Sequence, residues 1–282
     1  MAASSRSSRG GPEIIVWHRA TSGIAAGWGG IARPRSSPRA ATALAALLLL
    51  CLAAPALASP RPANPGGVKV VPTGPKPQLL LFHGGSFLFE DPSFEPSTAT
   101  RAIDAGFVPH YVAYPLDDMP AAVLQARAEA RRLRQKFGVD RVYAYGSSAG
   151  GTLAALLCGD GLVSAAVTKA PVSDLVDWQW PLENYGPEYY EEIQLGPHAR
   201  YRLSPVRRQA KNPLLIYQGR RDQVVPPAMN EAFAAKFRTV HLWVVPGGHT
   251  TERARPWLID KAMRWLSRTA ARQARAAANG GG

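Results

Sequence analysis

Cysteine is almost missing from this chain: its 282 residues hold two, Cys51 and Cys158. A small fold stapled by disulfides is therefore excluded, and an apolar core must hold the molecule together. His, Cys, Asp and Glu nowhere recur at metal-ligand spacing, which leaves no basis for a metal site. Acid is scarce at the start, where Glu13 alone stands against Arg6, Arg9, Arg19, Arg33, Arg35 and Arg39 in the first 58 positions. Lysine is scarce throughout, 7 against 26 arginines. The formal charge of +13 invites a nucleic-acid partner, but the interleaving of aromatic and basic residues expected of such a surface is absent. The arginine bias, with abundant Ala, Gly and Pro, reflects coding bias of a GC-rich genome as much as ligand selection. Only one long apolar run occurs, residues 41–58.

That run follows Arg35 and Arg39 and ends in Ala56, Leu57 and Ala58, the small-x-small pattern of a cleavage site. It predicts a signal peptide removed before Ser59 and hence a secreted or periplasmic protein. An uncleaved anchor is the alternative, for which the run is slightly short of the roughly 20 apolar residues of a span. Bulky Leu50 argues against a lipid-modified Cys51. The forty residues before the run exceed a normal leader and point to an internal translation start, at a codon such as that of Val16. Cleavage leaves 224 of the 282 residues, with 27 basic against 19 acidic side chains, or +8. This length suits one α/β domain. Residues 59–67, rich in Pro and Gly, read as a flexible leader. Cys158, in an apolar helical run, reads as a small buried hydrophobe.

With 46% apolar residues there is material for a large core. Short apolar runs bounded by turn residues predict strands at 79–82, 107–114, 141–145, 163–169, 214–217 and 240–245, with a short candidate strand at 68–72. Helical spacing falls at 120–138, 150–157, 227–237 and from 256 onward. Such alternation predicts a mostly parallel, doubly wound α/β sheet across 68–269. Residues 171–208 break the rhythm and are read as an aromatic cap over the carboxyl ends of the strands. Residues 270–282 are read as a basic, Gly-ended tail.

At the end of the 141–145 strand stands Gly146-Ser147-Ser148-Ala149-Gly150, opening an apolar helix. A strand that turns this sharply into a helix has no room for side chains beside the central residue, so Ser148 is pushed out as a nucleophile. The helix start frees the Ala149 N–H for an oxyanion. His83-Gly84-Gly85 ends the 79–82 strand, where Gly84 and Gly85 can add further N–H donors; His83 itself reads as structural. A serine hydroxyl needs a base, and the base needs an orienting carboxylate. Asp222, beyond the 214–217 strand, and His249, in Pro246-Gly247-Gly248-His249 beyond the 240–245 strand, supply them. Asp174 stands as an alternative acid. Asp117 and Asp118 read as helix-start residues, Asp160 lies past a helix, and His198 and His241 receive no catalytic role. Trp178, Trp180, Tyr189 and Tyr190 in the cap either line a substrate pocket or pack the cap down.

These residues resemble the α/β-hydrolase superfamily over roughly 68–266, nearest the esterase and lipase branch that includes hormone-sensitive-lipase-like enzymes and acyl-peptidase relatives. The likeness rests on His83-Gly84-Gly85, on Tyr145 to Gly151, on Ser204-Pro205, on Gly219 to Pro226, and on Pro246 to His249. Ser86 replaces a third glycine of the longest motif, and Ser147 replaces the acidic residue common before the nucleophile in that branch. The resemblance implies acyl transfer to water through a seryl ester, with no cofactor and a small-molecule ester as partner. Because the peptidase relatives carry a large extra N-terminal domain, it favours small esters over peptides. From composition and the leader pattern, no nucleic-acid partner and no stable membrane insertion after cleavage are expected, and the sequence leaves the oligomeric state open. Two rivals are an inactive hydrolase fold used for binding and a surface protein acting through its basic last helix, 257–278.

Overall fold

The computed structural model describes residues 76–91, 95–208 and 210–279. The expected signal segment, the leader and the candidate strand at 68–72 lie outside the described residues. Among the described residues six strands form one sheet: β1 Gln78–Phe82, β2 Val108–Tyr111, β3 Val142–Ser147, β4 Ala166–Lys169, β5 Leu214–Gly219 and β6 Val240–Val245. Every pairing is parallel and the order is β2-β1-β3-β4-β5-β6. The expected strand at 107–114 shortens to four residues, at the edge of the sheet that the described residues form, where Pro109, which has no N–H to give a ladder, is tolerated.

Helices cover both faces. They are α1 Glu95–Asp104, α2 Met119–Phe137, α3 Ala149–Gly159, α4 Trp180–Asn184, α5 Tyr189–Glu192, α6 Pro197–Leu203, α7 Pro227–Lys236, α8 Thr251–Ala254 and α9 Trp257–Asn279. Strand alternation sorts the core into two layers. Leu80, Phe82 and Ala144 pack with Ala126 and Leu133 of α2 and Leu153 and Leu157 of α3. Leu79, Leu81, Tyr143 and Tyr145 face Leu258, Met263 and Leu266 of α9. Asp118 caps α2, its carboxylate accepting from the Ala121 N–H at 2.8 Å, a contact of about 1 kcal/mol. Cys158 is buried among the α3 leucines, and burial pushes its thiol up to about 12.

Two expectations need correction. Helix α1 fills a stretch that periodicity left unassigned. The boundary at 269 does not end the fold either, because α9 runs unbroken to Asn279. Gln273 accepts from the Tyr143 hydroxyl at 2.9 Å and donates to the Ser164 carbonyl at 2.8 Å, so the first turns of the expected tail are packed helix.

Candidate active site

Chain topology assembles the site. Strand order reverses between β1 and β3, and in open parallel sheets the crevice beyond the carboxyl ends at such a point is where ligands bind. Phe82 pairs with Gly146, so the His83-Gly84-Gly85 turn leaves the sheet beside Ser148. At the other side Gly219 pairs with Val245, which sets the loops bearing Asp222 and His249 together. Strand β4 lies between the two halves.

Ser148 sits at the turn from β3 into α3 with φ 52° and ψ −117°, a left-handed conformation costly for a residue with a Cβ. Its neighbours are glycine for want of space. A Cβ on Gly146 would lie 2.2 Å from the Gly150 carbonyl oxygen, and one on Gly150 would lie 2.2 Å from that of His83. The Ser148 N–H donates to the Lys169 carbonyl at 2.8 Å, holding the turn against β4.

Ser148 Oγ lies 3.0 Å from His249 Nε2, and His249 Nδ1 lies 2.8 Å from Asp222 Oδ2. A carboxylate can only accept, so Nδ1 carries the proton and Nε2 is left to take one from the hydroxyl. Asp222 is fixed in turn. The Val224 and Val225 N–H groups donate to Oδ1 at 2.9 Å each, and Gln218 Nε2 donates to Oδ2 at 2.9 Å. Gln218 is itself held by Asn230, whose Nδ2 donates to Oε1 at 2.7 Å. Neither amide was expected at the site. Burial works to raise the Asp222 pKa, but the hydrogen bond and charge of His249, the Val225 N–H and the Lys169 cation outweigh it and hold the carboxyl below its ordinary value. Burial pushes His249 below the ordinary 6.5 and Lys169 pushes it further; Asp222 and Glu252 return part of the shift.

The oxyanion candidates gather at the same place. Ala149, first in α3, has no intrahelical acceptor for its N–H. A Cβ on Gly84 would lie 3.4 Å from that of Ser148, and Gly85 has φ +119°, with a Cβ there meeting the Phe89 carbonyl oxygen at 1.8 Å. His83 is buried, its ring stacked 4.2 Å from Tyr114, and its Nδ1 donates to the Gly84 carbonyl at 2.5 Å. Since a trans peptide points C=O and N–H oppositely, this bond also sets the direction of the Gly85 N–H.

In the cap, the Tyr189 hydroxyl donates to the Ser86 carbonyl at 2.7 Å and the Trp178 indole to that of Val224 at 2.7 Å, pinning the cap to the exits of β1 and β5. The Tyr190 hydroxyl donates to the Trp178 carbonyl at 2.6 Å, and Trp180 stacks on Trp178 at 6.2 Å. These contacts pack the cap down. Asp174, the alternative acid, accepts from Arg207 at 3.1 Å and from the Val176 N–H at 3.0 Å instead of a histidine. Asp160 pairs with Arg127 and Arg208. His198 and His241 are exposed. Among the described residues no group of His, Cys, Asp and Glu is placed to hold a metal ion.

The sequence model of the prolyl oligopeptidase family matches residues 118–270, from the cap of α2 into α9 and across Ser148, Asp222 and His249. The chain belongs to the prolyl oligopeptidase family. This family lies in the α/β-hydrolase superfamily, and the six-stranded parallel sheet alternating with helices is its fold. Among solved structures, the chain is similar to the acetyl ester-xyloside bifunctional hydrolase of Caldicellulosiruptor lactoaceticus, with TM-score 0.59 and 18% identity over 71% of this chain and 84% of that one. It is equally similar to the propionate-bound esterase 2 of Thermogutta terrifontis, a thermophilic enzyme, with TM-score 0.59 and 19% identity over 73% and 86% of the two chains. No curated protein matches the sequence. Within the prolyl oligopeptidase family this chain is thus a serine hydrolase whose structural neighbours are esterases.

Proposed function

We propose that the protein cleaves carboxylic esters of short acyl chains by a Ser-His-Asp mechanism. The observation that carries this reading is the continuous relay from Ser148 Oγ through His249 to Asp222 at the strained turn. His249 Nε2 takes the hydroxyl proton as Ser148 Oγ adds to the ester carbonyl, and Asp222 stabilises the imidazolium. The N–H groups of Gly84, Gly85 and Ala149 receive the developing oxyanion. The imidazolium protonates the departing alcohol, leaving a seryl ester. Water, deprotonated by the same imidazole, then releases the acid and restores the serine. Short acyl groups are favoured because structures of the Thermogutta esterase hold propionate and butyrate. A second reading, peptide-bond cleavage, draws on the family's own description.

A series of nitrophenyl esters from acetate to palmitate, run beside an aminoacyl nitroanilide, separates the two. Fastest turnover of acetate to butyrate is expected; preferential anilide cleavage overturns the ester reading. A protein that fluorophosphonate does not label is an inactive binding fold. The pH profile provides an independent check. His249 acts as base only when neutral, and burial and Lys169 hold its pKa below the ordinary 6.5. The acid limb of kcat/KM should therefore have its midpoint below pH 6.5, and a midpoint above it contradicts the assignment. Export is proposed on the leader pattern alone. The recovered extracytoplasmic protein should begin at Ser59, and retention of residues 1–58 rules cleavage out.

A further inference from the structure

Lysine at the end of a central strand is an expensive residue to bury, since an ammonium loses its hydration there unless partners replace it. Lys169 ends β4, between the nucleophile strand and the acid strand, and its side chain is only 4% exposed. Both replacements for water come from the segment that follows β6. Nζ donates to the His249 carbonyl at 2.7 Å and pairs with Glu252 Oε1 at 3.3 Å. Among the described residues the other carboxylate oxygen of Glu252 is buried without a hydrogen-bond partner, and Lys169 is the cation paired with the first. Resting on the serine-hydrolase reading of the site, we propose that Lys169 is a positioning residue for His249: with Glu252 it clamps the β6–α8 loop to the end of β4 and sets the electrostatic field in which the imidazole takes its proton.

The geometry supports both halves of the role. The backbone carbonyl of Lys169 accepts from the Ser148 N–H at 2.8 Å while its ammonium holds the His249 carbonyl. One residue therefore ties the nucleophile turn and the base loop to a common point, and Ser148 and His249, 101 positions apart, keep a 3.0 Å contact. Lost alignment at this scale is costly, because misplacement by about 1 Å can lower a rate about 100-fold. The charged groups facing His249 are Asp222 from the β5 exit, Lys169 from β4 and Glu252 from α8. Behind Glu252, the Tyr145 and Tyr217 hydroxyls share a 2.5 Å hydrogen bond and stay neutral, since burial pushes both well up. Arg101, Arg253 and Asp91 line the cavity of about 340 Å³ beyond. The lysine pushes His249 toward neutrality and the glutamate opposes it.

This predicts shifts of opposite sign. Removing the cation in Lys169→Met should move the His249 titration to higher pH; removing the anion in Glu252→Gln should move it to lower pH. Titration of the His249 ring protons by NMR in the full chain, assigned against His249→Gln, reads this without any substrate. It therefore remains decisive if no ester is turned over, whereas absence of fluorophosphonate labelling in the wild type counts against the hydrolase reading alone. In a turnover assay, Lys169→Met should lower kcat by about 10- to 100-fold with KM little changed and its acid limb moved up. Should Lys169→Met not fold, the nearly isosteric Glu252→Gln decides. An unshifted or upward-shifted histidine in Glu252→Gln overturns the proposal, as does a wild-type titration and kcat in folded Lys169→Met.

Discussion

Ser148→Ala is expected to lower kcat/KM toward nitrophenyl esters by about 10³-fold or more, with thermal stability close to that of the parent. The size follows from the roles of the relay: without the hydroxyl no seryl ester forms, and the donors around the oxyanion supply only residual acceleration over water. The small stability effect follows from the contact pattern. Ser148 Oγ meets His249 Nε2, while the residue's structural work is done by its backbone, through the N–H to Lys169 and the carbonyl that accepts from the Thr152 N–H at 3.0 Å. Alanine keeps both. Replacement also removes one atom from a conformation with φ 52° and adds none. Steady-state assays beside a thermal melt distinguish a lost nucleophile from a lost fold, and full activity in a folded Ser148→Ala protein refutes the mechanism.

Gly150→Ala is expected to be worse for the fold than any polar substitution in the site. The new Cβ falls 2.2 Å from the His83 carbonyl oxygen and 2.4 Å from that of Phe82. Both obstacles are backbone, at the end of β1, where no rotamer change relieves the clash. Either α3 withdraws from the sheet or the oxyanion turn is displaced. Core overpacking against movable side chains costs about 1–3 kcal/mol, so a loss of about 3 kcal/mol or more is expected here. For a domain of this size that lowers Tm by about 6–12 °C. Gly196→Ala serves as the control, since no atom lies within 4 Å of its added Cβ; only a helix-start preference is disturbed, at a cost of about 1 kcal/mol. Equal melting temperatures for Gly150→Ala and the parent would show that α3 does not approach β1 this closely.

The contrast between these glycines explains what could be read from the sequence. Gly146 and Gly150 are demanded by a local event, a strand turning at once into a helix, and the demand is met within five residues. Ser148 was therefore legible, and Asp222 and His249 followed because a parallel sheet delivers successive strand exits to one edge. Lys169 was not legible. Its partners lie 80 and more positions away, and nothing in the flanking Thr168 and Ala170 distinguishes a buried lysine from a surface one. Gln218 and Asn230 escaped for the same reason, as amides whose value depends on what Asp222 needs around it. Helix α1 gives no such signal, because it buries the small side chains of Thr98 and Ala102 while its one large aliphatic residue, Ile103, is exposed. The last helix outruns the expected boundary because Gln273 packs through hydrogen bonds, which hydrophobic periodicity does not register.

Strand β6 sets a limit of another kind. Among the described residues it lies at the sheet edge with β5 as its one neighbour, and of its six residues Val240 alone is buried. Edge elements with few buried contacts open at a fraction of the global unfolding free energy. Yet this strand carries the base. Mild heating can thus peel β6 outward and silence the enzyme while β1, β3 and β4 remain protected from hydrogen exchange. Working lifetime as a catalyst is then expected to follow the departure rate of one outer strand and to fall short of what the Tm of the whole domain suggests.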